Sequence, residues 1–422
     1  MPPTRRDQRR ARQHAGVFRL LAIVFFGVPI ALWAVGVHSN TGDKRALAPF
    51  PSSLTSWDVM DETAAYVNDH VPFRGTAIRL RADISQGVFG EAPPGQGAIR
   101  DDVPTRKPPT RANREFVDLP EVPPEPEIAG SADVMVGTDG WLYLNREFLS
   151  ECEVTDEQRQ AVIAGYGRLQ QILATSGRQM LFTIAPDKST SEPEHLPTDN
   201  PFAECSTASK RATFTALRDA AIPGYIDMRR IIEQREKAED RAYYFRKDTH
   251  WNGLATAALA ETMVKAIDPT LLETTTIKEG VQDYEGDLTT FLGTPTVDKG
   301  LITEVVRPGV TVTANRDNAL ADGATLELHT ATTTSAPLYD GSAVVIGDSF
   351  AGSSLLQLDP FFPTLRWIHS VTVSDAPLTT VEKISEAKVV ILISIERDLR
   401  RGVLWTDAFL DKLEEVLPAY QP

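Results

Sequence analysis

Residues 343–350 read Ala-Val-Val-Ile-Gly-Asp-Ser-Phe, an apolar run that ends in a Gly-Asp-Ser tripeptide. A short, continuous apolar run before a turn signal is typical of a strand that is buried on both faces. Gly347 permits a sharp turn after this strand, and Ser349 then falls at a helix N-terminus, where free N–H groups and the helix dipole stabilise negative charge. The stretch predicts a serine at a strand-to-helix turn, although an isolated copy is more often only a turn with a capping side chain.

A second stretch, Tyr-Phe-Arg-Lys-Asp-Thr-His-Trp-Asn at 244–252, places Asp248 and His250 two residues apart before an apolar helical pattern. A histidine needs a carboxylate to fix its tautomer, and a serine nucleophile needs a histidine to take its proton. We therefore predict that this stretch and Ser349 meet in space. The Asp-x-His pair alone is also compatible with a capped loop or with half of a metal site. Since a metal would need further ligands and the chain has only seven histidines, we predict no metal and no cofactor.

Strand and helix patterns alternate along the rest of the chain. Apolar strand runs occur at 180–185, 225–228, 343–346, 367–373 and 389–394. Helical patterns occur at 155–177, 207–220 and 254–267. This alternation predicts an α/β fold, a three-layer α/β/α sandwich with a mostly parallel sheet. A capping box is predicted at Thr155–Gln158, a hairpin turn at Asp139-Gly140, and a β-containing insertion at 270–340, which is rich in Thr and Val.

Three of the predicted strands end in polar pairs. These pairs are Asp187-Lys188, Asp348-Ser349 and Glu396-Arg397. In open α/β sheets, ligands bind beyond the carboxyl ends of the strands. We therefore expect these groups to meet at one edge of the sheet, where the Asp248–His250 segment also approaches.

The N-terminal region predicts a membrane anchor. Residues 1–19 contain six arginines against the single acid Asp7, and Leu20–Val37 is uncharged and apolar for 18 residues, close to the length that crosses a bilayer. Positive charge before the segment predicts a cytoplasmic N-terminus and an extracytoplasmic body at the cell membrane. A cleaved secretory signal is the alternative. The net charge of −15 argues against a nucleic-acid partner, because phosphates would be repelled.

The exported part divides into segments of different composition. Residues 91–128 are rich in Pro, Gly and charge, which predicts a linker. The predicted organisation is a basic N-terminus (1–19), a transmembrane signal-anchor (20–37), a membrane-proximal segment (38–90), the linker (91–128) and a catalytic domain (129–422) that carries the 270–340 insertion. Cys152 and Cys205 both fall in the exported part, where a pair is more often bridged than free, so we predict a structural disulfide.

The pairing of Asp248-Thr249-His250-Trp251-Asn252 with Gly347-Asp348-Ser349-Phe350 resembles the alginate O-acetyltransferase family of SGNH-hydrolase-like proteins. Supporting stretches occur in the same order at 66–74, 137–144, 186–197, 285–293 and 395–399. In ordinary SGNH hydrolases the serine motif comes first and an Asp-x-x-His motif last, whereas this family reverses the order and shortens the spacing to Asp-x-His, as here. The resemblance implies an SGNH-like fold and a triad in which Ser349 is the nucleophile, His250 the base and acid, and Asp248 the group that orients the imidazole.

The resemblance also implies a polysaccharide acceptor and a membrane-bound O-acyltransferase partner that delivers the acetyl group. Lys188 and Arg397 are candidates for binding an acidic sugar or the oxyanion, with ion pairs as the alternative. Trp251 and Trp141 are candidates for stacking on a sugar ring, with burial in the core as the alternative. The remaining oxyanion or substrate candidates are Gly347, Asp348 and Asn252.

The function that we predict is a membrane-anchored, extracytoplasmic O-acetyltransferase that acts on an exported or cell-surface polysaccharide. Two other functions are compatible with the same residues. One is a carbohydrate acetyl-esterase that uses the same triad with water as acceptor. The other is a polysaccharide-binding envelope protein without catalytic activity.

Overall fold

The computed structural model describes residues 134–152, 154–198, 200, 202–293, 296–315, 326–375, 377–399 and 406–420. They all lie in the second of two units into which the chain divides, Ala92–Pro422. The basic N-terminus, the proposed anchor Leu20–Val37 and the 91–128 linker lie outside the described residues, so the domain boundaries stay a prediction. Within the described ranges, no helix is both long and apolar enough to cross a bilayer.

The described strands are β1 Val134–Val136, β2 Leu142–Leu144, β3 Gln179–Ala185, β4 Thr276–Glu285, β5 Val297–Val306, β6 Val310–Asn315, β7 Leu326–Thr333, β8 Ser342–Gly347, β9 Thr364–His369 and β10 Val389–Ile395. Six of them form one mostly parallel sheet in the order β3-β10-β8-β9-β7-β6. Strands β3, β10, β8 and β9 run parallel to one another, whereas β7 and β6 pair antiparallel at one edge. Two further pairs, β1–β2 and β4–β5, form antiparallel ribbons.

The described helices connect and cover these strands. Their bounds are α1 Arg146–Cys152, α2 Asp156–Thr175, α3 Lys188–Ser191, α4 Ala203–Asp219, α5 Met228–Glu239, α6 Gly253–Ile267, α7 Asp287–Phe291, α8 Ser349–Ser353, α9 Leu355–Leu358, α10 Ser370–Asp375, α11 Pro377–Ser385 and α12 Asp407–Val416. The capping box that opens α2 is confirmed, since Thr155 Oγ1 accepts from Gln158 N and Gln158 Oε1 accepts from Thr155 N.

Alternate residues of the central strands face opposite sides of the sheet. Val345 and Ile391 lie in one apolar cluster with residues of α6, whereas Val344 and Leu392 lie in the other with residues of α2 and α12. All four side chains are fully buried, which explains why these strands are apolar at every position rather than at every second one. The α/β sandwich predicted from the sequence is confirmed.

Three predicted elements differ from the structure. The strand predicted at 367–373 ends at His369, which is the last residue that pairs with β8, and the chain continues as α10. The strand predicted at 225–228 is reduced to a single bridge between Tyr225 and Phe182. The β-containing insertion at 270–340 is confirmed as β-rich, but it is not separate from the main sheet, because β6 and β7 extend that sheet beyond β9.

The predicted disulfide is present. Cys152 and Cys205 are bonded with their Cα atoms 5.2 Å apart. The bond joins the end of α1 to the first turn of α4. It therefore fixes α4 to the segment that leads from the β1–β2 ribbon into α2.

We expect the double variant Cys152→Ser/Cys205→Ser to have a free energy of unfolding lower by about 4 kcal/mol, because the bond closes a 53-residue separation and restricts the unfolded chain. Denaturant titration of both proteins measures the difference. The wild-type chain unfolded under reducing conditions should show the same loss. Equal midpoints for oxidised and reduced protein would show that the cross-link does not stabilise this fold.

Candidate active site

A chain of two hydrogen bonds links Asp248, His250 and Ser349. His250 Nδ1 lies 2.7 Å from Asp248 Oδ1, and His250 Nε2 lies 2.8 Å from Ser349 Oγ. With a carboxylate at Nδ1, that nitrogen carries the proton and Nε2 offers its lone pair to the serine hydroxyl. Ser349 is exposed, whereas His250 and Asp248 are half-buried. The structure thus brings together the three residues that the two sequence motifs supply, 99 positions apart between His250 and Ser349.

The segment that carries Asp248 and His250 is closed at both ends. Tyr244 and Trp251 form an antiparallel bridge. Asn252 is the N-cap of α6, and its side chain accepts from Leu254 N at 2.9 Å. The bridge and the cap together hold residues 244–252 as a closed loop that leads directly into α6. Asn252, a substrate candidate from the sequence, is buried and has this capping role.

Lys188 stabilises the same segment, residues 244–252, by hydrogen bonds to its backbone. Its ammonium group donates to the backbone carbonyls of Phe245, Arg246 and Asp248, at 3.0, 3.1 and 2.5 Å. A lysine has three donors, so all of them are used. Burial lowers the pKa of Lys188 to about 8, against the opposing effect of nearby carboxylates such as Glu147. Lys188 is fully buried and supports the Asp-x-His segment, so direct binding of substrate does not fit its position.

Arg397 is also inside the protein. Its guanidinium forms an ion pair with Asp187 at 2.5 Å and lies 5.4 Å from the centre of the Phe350 ring. Burial alone would lower the pKa of Arg397, but the charges of Asp187 and Glu147 outweigh burial and raise it. Of the two roles considered for Arg397, substrate binding and an ion pair, the structure shows the ion pair, and it is buried. Through Phe350, Arg397 supports the turn that presents Ser349.

Gly347 and Asp348 shape that turn. A Cβ atom at Gly347 would lie 2.0 Å from the carbonyl oxygen of Ile393 on β10, so any side chain there would force the strands apart. Asp348 accepts from Phe350 N at 2.9 Å and from Ile395 N at 2.6 Å, and burial raises its pKa to about 6. These contacts give both residues a structural role in placing the serine.

The two tryptophans lie in the core rather than on the surface. Trp251 is 1% exposed and donates from Nε1 to Ser353 Oγ at 2.9 Å. Trp141 is 6% exposed and stacks on His195, with ring centres 4.7 Å apart. Stacking on a sugar ring needs an open face, so the core alternative describes Trp251 and Trp141 in this structure.

Asp287 lies at the site but was not among the sequence candidates. Its backbone N donates to Asp248 Oδ2 at 3.0 Å, and its carboxylate accepts from Thr249 N at 2.7 Å and from Thr249 Oγ1 at 2.5 Å. The residue belongs to the stretch 285–293 that supports the family resemblance. Its place in this stretch is the one sequence feature that connects Asp287 with the site. The sequence does not indicate which side chain of the stretch faces the site.

The electrostatics of the chain favour proton transfer from the serine to the histidine. Burial alone would raise the pKa of Asp248, but its hydrogen bond with His250, the charge of the imidazolium and the backbone N–H groups of His250 and Asp287 together outweigh burial and lower that pKa. Burial alone would lower the pKa of His250, but the hydrogen bond with Asp248, together with the charges of Asp248 and Asp287, raises it. The imidazole is therefore more basic than usual, while Asp248 stays ionised to stabilise the imidazolium.

Asp248, His250 and Asp287 each place one ligand-type atom within 4.8 Å of the others. By donor type such a group is able to hold a metal ion. Here, however, both imidazole nitrogens are already engaged, Nδ1 with Asp248 and Nε2 with Ser349. These contacts describe a hydrogen-bond chain that runs from Asp248 through His250 to Ser349, as a proton-transfer site requires.

An α/β sandwich with a serine just past the carboxyl end of a central strand, hydrogen-bonded to an Asp-x-His segment, has the architecture of SGNH hydrolase-like proteins. The chain belongs to the family of SGNH hydrolase-like domains described as acetyltransferase AlgX. The model of that family matches residues 134–361, more than half of the chain. The match includes Asp248, His250 and Ser349.

Two curated relatives carry the name "Probable alginate O-acetylase AlgJ". The protein from Pseudomonas aeruginosa is 27% identical over 175 residues, and the one from Pseudomonas syringae pv. tomato is 26% identical over 175 residues. Each alignment covers 39% of this chain and 42% of the relative. The chain therefore matches less than half the length of these proteins.

Two solved structures are similar to this chain over about two thirds of its length. The O-acetyltransferase domain of Pseudomonas putida AlgJ has a TM-score of 0.46 and 19% identity, covering 67% of this chain and 98% of that one. Pseudomonas aeruginosa AlgX has a TM-score of 0.41 and 16% identity, covering 66% of each chain. Membership of the family follows from the match over residues 134–361.

Proposed function

We propose that this protein transfers acetyl groups through Ser349 to hydroxyl groups of an exported or cell-surface polysaccharide. The observation that carries the proposal is the hydrogen-bond chain from Asp248 through His250 to the exposed hydroxyl of Ser349. Membership of an acetyltransferase family supports acetyl as the transferred group. Relatives named as alginate O-acetylases support a polysaccharide as the acceptor.

In the first step, Ser349 Oγ attacks the carbonyl carbon of an activated acetyl ester. His250 Nε2 takes the hydroxyl proton as the new C–O bond forms, and Asp248 stabilises the imidazolium. Collapse of the tetrahedral intermediate breaks the bond to the donor's leaving group, which takes the proton back from His250. The result is an acetylated Ser349 and a neutral histidine.

In the second step, a sugar hydroxyl attacks the acetyl carbon on Ser349. His250 takes the proton from that hydroxyl, and the bond to Ser349 Oγ breaks as the serine regains a proton. The products are the acetylated sugar and the free enzyme. The same histidine serves both steps because its Nε2 faces the single atom that is acylated and released, Ser349 Oγ.

A carbohydrate acetyl-esterase is the second candidate function. Ser349 is exposed, so an acetyl group on it is accessible to water as well as to a sugar. Partition between hydrolysis and transfer depends on how well the bound polymer excludes water and positions its hydroxyl. The two functions share Asp248, His250 and Ser349 and differ only in the acceptor.

We expect an oligosaccharide acceptor to divert acetyl groups from water to sugar. The full-length chain is incubated with p-nitrophenyl acetate, with and without oligosaccharides from acidic and neutral polysaccharides, and acetate and acetylated sugar are both quantified. A transferase forms acetylated sugar at the expense of free acetate. Acetate release that no acceptor changes would assign the protein to the esterases.

The pH dependence of the reaction should reflect the raised pKa of His250. The base must be neutral to accept the serine proton, so activity is lost as the pH falls through that pKa. Because Asp248 raises the pKa, we expect the acidic midpoint of kcat/KM above the ordinary histidine value of about 6.5. A midpoint well below 6.5 would contradict the geometry in which Asp248 stabilises the imidazolium.

We extend the proposal to the cellular arrangement. Leu20–Val37 would anchor the chain in the cell membrane with the catalytic domain outside, and a membrane-bound O-acyltransferase would present the acetyl group. The Cys152–Cys205 bond is consistent with an oxidising compartment.

Protease treatment of intact cells tests the topology, because residues 134–420 should be digested while residues 1–19 stay protected. Protection of both regions would contradict it.

A further inference from the structure

Asp287 contacts each residue of the Asp248-Thr249-His250 segment. Its backbone N–H donates to the Asp248 oxygen that does not face the imidazole, at 3.0 Å. Its carboxylate accepts from both the backbone N–H and the hydroxyl of Thr249. Oδ2 also lies 3.8 Å from His250 Nδ1. A single residue, 39 positions away from Asp248, therefore holds the whole segment.

Close backbone packing fixes Asp287 in this place. A Cβ atom at the preceding Gly286 would lie 2.0 Å from the carbonyl oxygen of Lys247, so only glycine allows the two backbones to approach this closely. Asp287 then begins α7. Its position depends on the β4–β5 region docking against the catalytic segment.

The charges around His250 come from several elements. Asp248 and Asp287 are negative, whereas Arg397 acts on His250 from the end of β10 and Lys188 lies close to both carboxylates. Both oxygens of Asp287 accept hydrogen bonds from Thr249, as an ionised carboxylate does. Burial and the charge of Asp248 raise the pKa of Asp287. The imidazole thus faces two carboxylates from different parts of the chain.

We propose that Asp287 is a positioning residue for the His250 base, which ties Asp248 and Thr249 in place and presents a second carboxylate to the imidazole. This inference rests on the proposed function of Ser349 as nucleophile. Asp287 does not touch the serine or the reacting acetyl group. It acts through Thr249, Asp248 and His250, by restricting their geometry and by stabilising the imidazolium that forms when Ser349 loses its proton.

The test measures how fast Ser349 reacts with phenylmethylsulfonyl fluoride as a function of pH, using the full-length chain and mass spectrometry of the labelled peptide. In this reaction the Oγ–S bond forms, fluoride leaves, and His250 takes the hydroxyl proton. We expect Asp287→Asn to react about 10-fold more slowly at its optimum. Because one negative charge beside the imidazole is removed, the acidic midpoint should move about one pH unit lower.

Asp283→Asn is the matched control, since Asp283 is an exposed carboxylate on β4 whose partner is Lys299. It should react with the wild-type rate and midpoint. An Asp287→Asn variant that is slower but keeps the wild-type midpoint would overturn the proposal and leave Asp287 with a purely structural role. A wild-type rate and midpoint would overturn it as well.

Thr249→Val tests the link between Asp287 and the catalytic segment if Asp287→Asn does not fold. It removes the hydroxyl that donates to Asp287 and lies 3.3 Å from His250 Nδ1, and it leaves both carboxylates in place. The rate should therefore fall while the midpoint stays within about 0.3 pH units of wild type. A wild-type rate would overturn the positioning role. If the wild-type chain itself is not labelled at Ser349, the proposed function fails instead, and the two failures are distinguishable.

Discussion

Ser349→Ala is expected to lose acetyl transfer by at least about 10⁴-fold in kcat, because no other group supplies the nucleophile once the hydroxyl is removed. The exposed position of Ser349 means that little packing changes. Its free energy of unfolding should therefore stay within about 0.5 kcal/mol of wild type. Steady-state assays with an acetyl ester and an oligosaccharide measure the loss, and denaturant titration measures the stability.

Ser353→Ala is the control for this variant. Ser353 lies in the same helix, and its Oγ accepts from Trp251 Nε1 and donates to the Phe350 carbonyl, so the variant removes a serine hydroxyl without removing the nucleophile. We expect its kcat to stay within about an order of magnitude of wild type. Transfer by Ser349→Ala at a rate similar to Ser353→Ala would exclude Ser349 as the nucleophile.

Asp248→Asn is expected to lower kcat by about 10³- to 10⁴-fold with little change in stability of the fold. The amide removes the negative charge that stabilises the imidazolium, and it no longer requires the proton to be on His250 Nδ1. Since Asp248 raises the pKa of His250, its loss should also move the acidic midpoint of kcat/KM to lower pH. Both effects are measured in one set of pH–rate profiles.

Asp283→Asn is again the reference, as it removes a carboxylate of the same size from an exposed site. Its profile should superpose on that of the wild type. A loss in Asp248→Asn of less than 10-fold, or a midpoint that does not move, would show that Asp248 does not orient or stabilise the base. The hydrogen-bond chain would then be a structural feature only.

The motifs around the site could be predicted from the sequence because each is local. A short apolar run before Gly347 identifies a buried strand, and a carboxylate two residues from His250 identifies a histidine with a fixed tautomer. The disulfide could be predicted because the chain has two cysteines and both fall in the part predicted to be exported to an oxidising compartment. The two motif predictions used residue spacing within stretches of at most nine residues. The disulfide prediction used the fact that each cysteine has a single possible partner.

The surroundings of the site could not be predicted because they depend on which face of an element is covered. Lys188 and Arg397 follow strands in the expected way, but only the fold shows that Lys188 meets three backbone carbonyls and Arg397 meets Asp187. The residues next to Trp251 in the sequence do not indicate whether its side chain faces solvent or, as in the structure, Ser353. Asp287 reaches the site through a contact between backbones 39 positions apart, which no local pattern encodes.

The most direct test of the central claim is to expose the full-length chain to an activated acetyl ester, quench it within one turnover, and map any added acetyl group by mass spectrometry. We predict one acetyl group on the peptide that contains Ser349, absent in Ser349→Ala and much reduced in Asp248→Asn. Addition of an acceptor oligosaccharide should remove it and yield acetylated sugar. An acetyl group on another residue, or transfer to sugar without any acetylated Ser349, would contradict the mechanism.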